Sequence, residues 1–321
     1  LRKDFGSWIK SEYPKWMQGA RKGRPSLSVD LVGKYLAPIL GKSSVMFVLL
    51  DCLRMDQWKV IAPLLVPYFE IQESYHYSIL PTATPYCRNA IFSGLFPDQL
   101  FESYGQKIGV SKEKVGLNDF EDELLKDHLE SLCGESIPVH YEKIISDIDG
   151  GRVRARVRSS LKKPNSVVVT VFNFVDIMTH GRSDSTILME VAKDEAALRN
   201  LTRSWFERST AFSVMKDAAA AGHRVLLTSD HGSILCRRPT VVYAKKDASS
   251  SLRYKIGKDL RLENPETAFL TKAEEDLRLP SASFAASYAL ALDDHVSLYQ
   301  YGGISPEEMI VPVVELKPRS E

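Results

Sequence analysis

Three short apolar runs set the framework of the chain. Ser44-Val45-Met46-Phe47-Val48-Leu49-Leu50 ends in Asp51, Val167 to Phe172 leads to Asp176, and Arg224 to Ser229 leads to Asp230-His231. Continuous rather than alternating apolarity predicts strands buried on both faces, as in a parallel sheet covered by helices. Ligands bind such sheets at the carboxyl ends of the strands, so each run delivers polar chemistry to its exit. Helical periodicity covers residues 119–132 and a long stretch from about 184 to 221 that carries Leu188, Val191, Ala192, Ala196, Leu198, Leu201, Trp205 and Phe206. This alternation predicts a layered α/β domain with helices over a mostly parallel sheet. After His231 the pattern breaks into short strands, a polar Asp247 to Ser251 stretch and an aromatic-rich tail, so residues 235–300 are expected to form an inserted or lid subdomain. Residues 1–40 place Trp8, Tyr13, Trp16, Leu27, Val29, Leu31, Val32, Tyr35 and Leu36 around an Arg24-Pro25 turn. They predict helices that need a partner to bury them, as a connecting segment would.

Composition narrows the class. With 321 residues, 44% hydrophobic and 26% charged, the chain can bury a substantial core and is not a disordered polymer. No run of eighteen apolar positions occurs, which predicts no membrane-spanning helix. The 42 Lys plus Arg against 41 Asp plus Glu give a formal net charge of +1, which excludes a wholesale basic surface. One local basic run remains: Arg152, Arg154, Arg156 and Arg158 alternate with small or apolar residues before Lys162-Lys163. It reads either as a phosphate-contacting strand or as a solvated helix offsetting the acidic 119–130 region. Cys52, Cys87, Cys133 and Cys236 form no C-x-x-C pair and read as free thiols of a cytoplasmic protein. The chain opens at Leu1 rather than Met and reads as a fragment or processed form, leaving room for an upstream domain.

The strand exits combine into one candidate constellation. Asp51, the Asp176/His180 pair four residues apart, and Asp230-His231 offer the carboxylate and imidazole donors that zinc and related ions take in hydrolytic sites. On a helix the four-residue offset puts Asp176 and His180 on one face. Each motif also has a local reading, Asp176 as a helix cap with His180 in solvent and Asp230-His231-Gly232 as a turn. The segment Pro81-Thr82-Ala83-Thr84-Pro85-Tyr86-Cys87-Arg88-Asn89 is a rigid turn into an amphipathic helix, with Thr84 as expected N-cap before Pro85. A helix start also aims backbone amides at a bound anion, so a threonine nucleophile there would sit beside a phosphate site. Its alkoxide would need a metal ion for stabilisation.

These segments together resemble a known family. Val48 to Trp58, Thr82 to Gly94, Phe172-Asn173-Phe174-Val175-Asp176, Ser229-Asp230-His231-Gly232 and Gly302 to Pro312 resemble the PglZ domain of the alkaline phosphatase superfamily, over roughly residues 40–316. More narrowly, the segments resemble the PglZ-containing response regulators of the type IX secretion system, whose helical connector is similar to Glu12-Tyr13-Pro14 and Arg24 to Asp30. It implies a connector at 1–40, a PglZ domain at 41–316 and a tail at 317–321, with a three-layer α/β/α sandwich fold. It further implies one Zn²⁺ held by Asp51, Thr84, Asp230 and His231, and a second held by Asp176, His180 and a later His. In this chain Tyr301 precedes Gly302-Gly303 where the family carries that His, so Tyr301, His295 or water would complete the shell and one or two Zn²⁺ are expected. The implied activity is attack of Thr84 on a nucleotide or short oligonucleotide phosphodiester, in the output domain of a two-component regulator. Arg88 and Asn89 would hold a phosphoryl oxygen if they face inward; the local alternative for Arg88 is a surface salt bridge. A catalytically weak sensing or protein-binding domain is the alternative role, and a signalling protein and a second copy of the chain are the expected partners.

Overall fold

The computed structural model describes residues 2–18, 23–41, 44–108, 118–236, 240–246, 251–264, 268–279, 283–287 and 298–319. Helix α1 (Arg2–Gln18) and short helical turns over 28–39 lead into β1 (Val45–Leu50), α2 (Met55–Leu65), β2 (Phe69–Tyr77) and α3 (Thr84–Ser93). There follow α4 (Pro97–Ile108), α5 (Glu121–Cys133), β3 (Val139–Ile144), α6 (Gly150–Leu161), β4 (Val167–Phe172) and α7 (Phe174–Asp184). Helices α8 (Thr186–Val191), α9 (Glu195–Arg208) and α10 (Thr210–Ala220) precede β5 (Val225–Thr228). The remainder holds short strands β6 (Ile234–Cys236), β7 (Val242–Tyr243), β8 (Tyr254–Gly257), β9 (Arg261–Leu262) and β10 (Ala268–Lys272), then α11 (Ala273–Leu277) and β11 (Ser283–Ser287). It closes with β12 (Leu298–Gln300), α12 (Pro306–Met309) and β13 (Ile310–Pro318).

The central sheet runs β2-β13-β5-β1-β4-β3, and β13 is the strand that runs against the others. Every residue of β1, β4 and β5 is buried, as continuous apolar runs require. Successive side chains alternate across the sheet. Met46, Val48, Leu50, Val168 and Leu227 join the core beneath α2, α6, α9 and α10, while Phe47, Leu49, Val169, Val171 and Leu226 join the core beneath α3, α5 and the turns at 31–36. The result is the mixed three-layer α/β architecture expected from the sequence.

Two features differ from the sequence reading. The single helical stretch over 184–221 is cut into α8, α9 and α10. Its breaks fall where Ser185, Asp194 and Ser209 accept hydrogen bonds from the amides of Leu188, Ala197 and Phe212 and so begin new helices. Strands β2 and β3 had no continuous apolar run to announce them, because each keeps one side half-exposed, and the apolar run that opens β13 is interrupted by Pro312. The basic run is helical, as the second of its two readings expects. Residues 235–300 do hold short strands, in a β10-β11-β8 sheet and the pairs β12-β6 and β7-β9.

Helix α1 finds its partner in the domain itself. Ile9, Tyr13, Trp16 and Met17 share a core with Ile79, Leu80, Cys87 and Ala90, next to the start of α3. The Tyr13 hydroxyl accepts the Leu80 amide at 2.8 Å. Among the described residues no helix is long and apolar enough to cross a membrane, and all four cysteines are free thiols.

Candidate active site

The sheet register levels the strand exits. Leu50 pairs with Phe172 on β4 and Leu49 with Thr228 on β5, so Asp51, Asn173 and the 229–232 turn leave the same edge. Cys52 turns the chain with φ 66, a conformation a non-glycine residue adopts rarely. Its amide donates to Asp230 Oδ1 at 3.2 Å and the Leu53 amide donates to Ser229 Oγ at 2.9 Å, tying the two exits together.

Helix α3 brings the hydroxyl. Ala83 is the extended N-cap residue and Thr84 the first helical residue, so the helix begins one position earlier than the sequence suggested, since Pro85 also fits the second helical position. The Thr84 side chain is therefore not spent on capping. Its Oγ1 lies 3.0 Å from His231 Nε2 and 3.4 Å from Asp51 Oδ1, and the residue is half-buried, within reach of a solute. His231 Nδ1 donates to the Gly232 carbonyl at 3.1 Å, which in the neutral ring leaves the Nε2 lone pair facing Thr84.

The two carboxylates are fully buried and divide their oxygens. Asp51 Oδ2 accepts Asn173 Nδ2 at 2.8 Å and an Arg88 Nη2 donor, so Oδ1 faces Thr84 and His231. Asp230 Oδ1 accepts the Cys52 and His231 amides, and Oδ2 accepts Arg88 Nε at 3.1 Å. Burial, reinforced by Asp230 and opposed by Arg88, pushes Asp51 up to about 7. For Asp230 burial is outweighed by His231 and Arg88, and its pKa falls below the usual carboxylate range.

This donor set fits a divalent cation. Asp51, Asp230 and His231 each offer one ligand atom within 4.8 Å of the others. The separations of 3.0 Å and 3.4 Å from Thr84, and of 3.8 Å and 3.9 Å from His231 Nε2 to the carboxylates, lie near the roughly 3.3 Å edge of a tetrahedron with bonds of about 2.0 Å.

Other residues singled out from sequence take varied places. Asp176 lies in the first turn of α7, and the backbone of His180 follows one turn later on the same helix. The Tyr301 ring centroid sits 4.3 Å from that of His231. Burial, then the charges of Asp176 and its neighbours, hold the Tyr301 phenol proton on, far above the ordinary range. His295 lies outside the described residues. Arg88 faces inward but is neither a surface ion pair nor open to a solute: it is 0% exposed and turned onto Asp51, Asp230 and Glu121. Asn89 is buried too, its amide donating to the Pro85 carbonyl while Asn118 donates to its Oδ1 at 3.2 Å. On α6, Arg154 pairs with Asp217, Arg156 with Glu142 and Arg152 with Asp149, while Arg158 stands 3.9 Å from Asp217; none of these partners belongs to the 119–130 region. Asn173 and Glu121 were assigned no role from sequence. Asn173 could have been found, since it leaves β4 just as Asp51 leaves β1; no local pattern marks Glu121.

Gly232 is a packing requirement of this turn. A Cβ there would lie 1.9 Å from the Glu307 carbonyl oxygen, so Gly232→Ala must displace either the His231 turn or the 305–308 segment. The expected loss is about 1–3 kcal/mol in stability, read by denaturant unfolding, with a fall in any His231-dependent activity.

The BREX system PglZ alkaline phosphatase-like domain matches the chain over residues 31–316. No curated protein matches it. Among solved structures, mouse ectonucleotide pyrophosphatase/phosphodiesterase 5 is similar with TM-score 0.54 at 12% identity, covering 85% of this chain and 88% of that one. Its inactive threonine-to-alanine variant in complex with AMP gives TM-score 0.53 at 11% identity over the same shares. The human counterpart gives 0.54 at 12% identity, covering 85% of this chain and 87% of that one. A metal-fitting triad and a helix-start threonine at the carboxyl edge of this sheet, within a match spanning most of the chain, place it in the PglZ family of alkaline phosphatase-like domains.

Proposed function

We propose that the chain is a zinc-dependent phosphodiesterase for nucleotide or short oligonucleotide diesters, with Thr84 as nucleophile. The observation that carries this reading is the Thr84 hydroxyl held 3.0 Å from His231 Nε2 and 3.4 Å from Asp51 Oδ1. The AMP complex of the structurally similar phosphodiesterase, an inactive threonine-to-alanine variant, supports the nucleotide class and a threonine role. Asp51, Asp230, His231 and Thr84 would hold one ion, and Asp176, His180 and Tyr301 are the candidates for a second. A bound ion supplies charge that lowers the proton affinity of Thr84 and offsets negative charge on the phosphoryl group.

The chain's own residues do the rest. Thr84 Oγ1 gives up its proton to solvent and forms the bond to phosphorus as the ester oxygen of the leaving alcohol departs in line and takes up a proton, and water later cleaves the resulting threonine phosphodiester to regenerate the hydroxyl. The capping geometry at Ala83 fixes Thr84, and the Gly232 carbonyl fixes the tautomer of His231. Helix α3 points its amino end at the site, a favourable setting for an anion. The role as output domain of a response regulator, with a signalling partner and a second copy, rests on the resemblance of the motif segments and of the connector residues 12–14 and 24–30 to such regulators. One observation favours a weaker catalyst that senses rather than turns over nucleotide: a Tyr301 ring, not an imidazole, stands 4.3 Å from the His231 ring, next to Gly302-Gly303.

The two readings part on one experiment, hydrolysis of bis(4-nitrophenyl) phosphate by protein stripped with chelator and reloaded with zinc. The enzyme reading expects turnover that vanishes on stripping and returns with zinc; background rates throughout would leave the sensing role. The α6 arginines have protein partners, so replacing Arg152, Arg154, Arg156 and Arg158 by Gln is expected to leave oligonucleotide affinity and its salt dependence unchanged. A fall in the salt slope of about one per lost contact would assign them to phosphate binding instead.

A further inference from the structure

The site contains a permanent cation whose position is unusual. Arg88 has no exposure to solvent, yet its guanidinium reaches both carboxylates of the metal-fitting triad: Nε donates to Asp230 Oδ2 at 3.1 Å and Nη2 donates to Asp51 Oδ2. Its Nη1 lies 3.5 Å from Glu121 Oε1 on α5. Arginine does not lose its proton inside proteins, so this is a fixed positive charge in a dry setting. Two buried carboxylates this close would otherwise repel each other, or one would have to hold a proton.

The fork also sorts the oxygens. With Asn173 it occupies Asp51 Oδ2, which leaves Oδ1 toward Thr84 and His231. Two backbone amides occupy Asp230 Oδ1, so Arg88 Nε sets the direction of Oδ2, the oxygen nearer His231 Nε2 at 3.9 Å. No donor of the guanidinium faces solvent, so it reaches neither a phosphoryl oxygen nor a solute directly.

We propose that Arg88 is a positioning residue, an internal counter-cation that keeps Asp51 and Asp230 side by side when no metal ion is bound and aims one oxygen of each at the ion. The proposal rests on the reading of Asp51, Asp230 and His231 as metal ligands. Two roles follow, charge and orientation, and two substitutions separate them. Arg88→Met removes the charge, so a bound ion becomes the only cation between the carboxylates and must stabilise the fold more than it does in wild type. Arg88→Lys keeps a charge and loses the fork, so the carboxylates are less well aimed and zinc affinity falls.

The test measures melting temperature in chelator and in saturating zinc, with zinc affinity by competition titration, all without substrate. Arg88→Met is expected to melt well below wild type in chelator and to gain at least about twice the wild-type shift on adding zinc. Arg88→Lys is expected to bind zinc about 10–100-fold more weakly, the range usual for a lost outer-shell partner. Equal zinc-induced shifts for wild type and Arg88→Met, or a Met variant that stays unfolded in zinc, would overturn the counter-cation role. Unchanged zinc affinity in Arg88→Lys would overturn the aiming role. Failure of wild type to bind zinc at all would remove the metal reading beneath the proposal, whereas zinc binding without diester turnover would refute only the enzymatic function.

Discussion

Thr84→Ala is expected to abolish phosphodiester hydrolysis, by about 10³-fold or more, while leaving the fold intact. Removing a nucleophile forces the reaction onto direct attack by water, and losses of that order are usual for a residue that forms the covalent intermediate. The structure gives reason to expect the fold to persist. Capping of α3 belongs to Ala83, the residue is half-buried, and alanine suits a helix start, so the stability change should stay within about 1 kcal/mol. Steady-state rates with an aryl phosphodiester, taken beside thermal unfolding of both proteins, check both halves. Residual activity within about tenfold of wild type would assign the nucleophile elsewhere.

The second large effect lies outside the reacting atoms. Arg253 and Glu308 form a fully buried bidentate pair at 2.9 Å and 2.7 Å, and Glu308 also accepts the Gly303 and Ser305 amides. Arg253 comes from the region after β5 that the sequence marked as an insert, and Glu308 from the turn of α12. The pair therefore fastens that region to the Gly302-Gly303 bend that carries Tyr301. Breaking a buried pair from one side strands the other charge, so Glu308→Ala is expected to cost about 3–5 kcal/mol. A Cβ at Gly303 would lie 2.5 Å from the Arg253 guanidinium, which shows how closely the bend is seated on it. Denaturant unfolding reads the loss; a cost below about 1 kcal/mol would mean that the pair contributes no more than a surface one.

How much of this was written in the chain depends on the kind of signal. Strands β1, β4 and β5 were legible because burial on both faces demands unbroken apolar runs, and the carboxyl-edge rule then singled out Asp51 and Asp230-His231. Strand β13 pairs with both β5 and β2 yet was missed, since its Glu315 and Lys317 interrupt the apolar pattern. Thr84 was marked by its place before Pro85, although the cap fell one residue earlier. Arg88 was expected to reach a solute or the surface, and its burial could not be read from spacing. Its partners Asp51, Glu121 and Asp230 come from three distant parts of the chain, and only the folded register brings them together. The same holds for Tyr301, whose approach to His231 depends on the β12–β6 pairing just before it.

The central claim is that Thr84 takes the phosphoryl group, and trapping that adduct tests it most directly. Zinc-loaded protein mixed with an aryl phosphodiester, quenched in acid and digested with trypsin, is expected to yield the Val60–Arg88 peptide carrying the substrate's phosphoryl ester on Thr84, absent from the Thr84→Ala variant. Turnover with no modified Thr84, or with the adduct on another residue, would contradict the account.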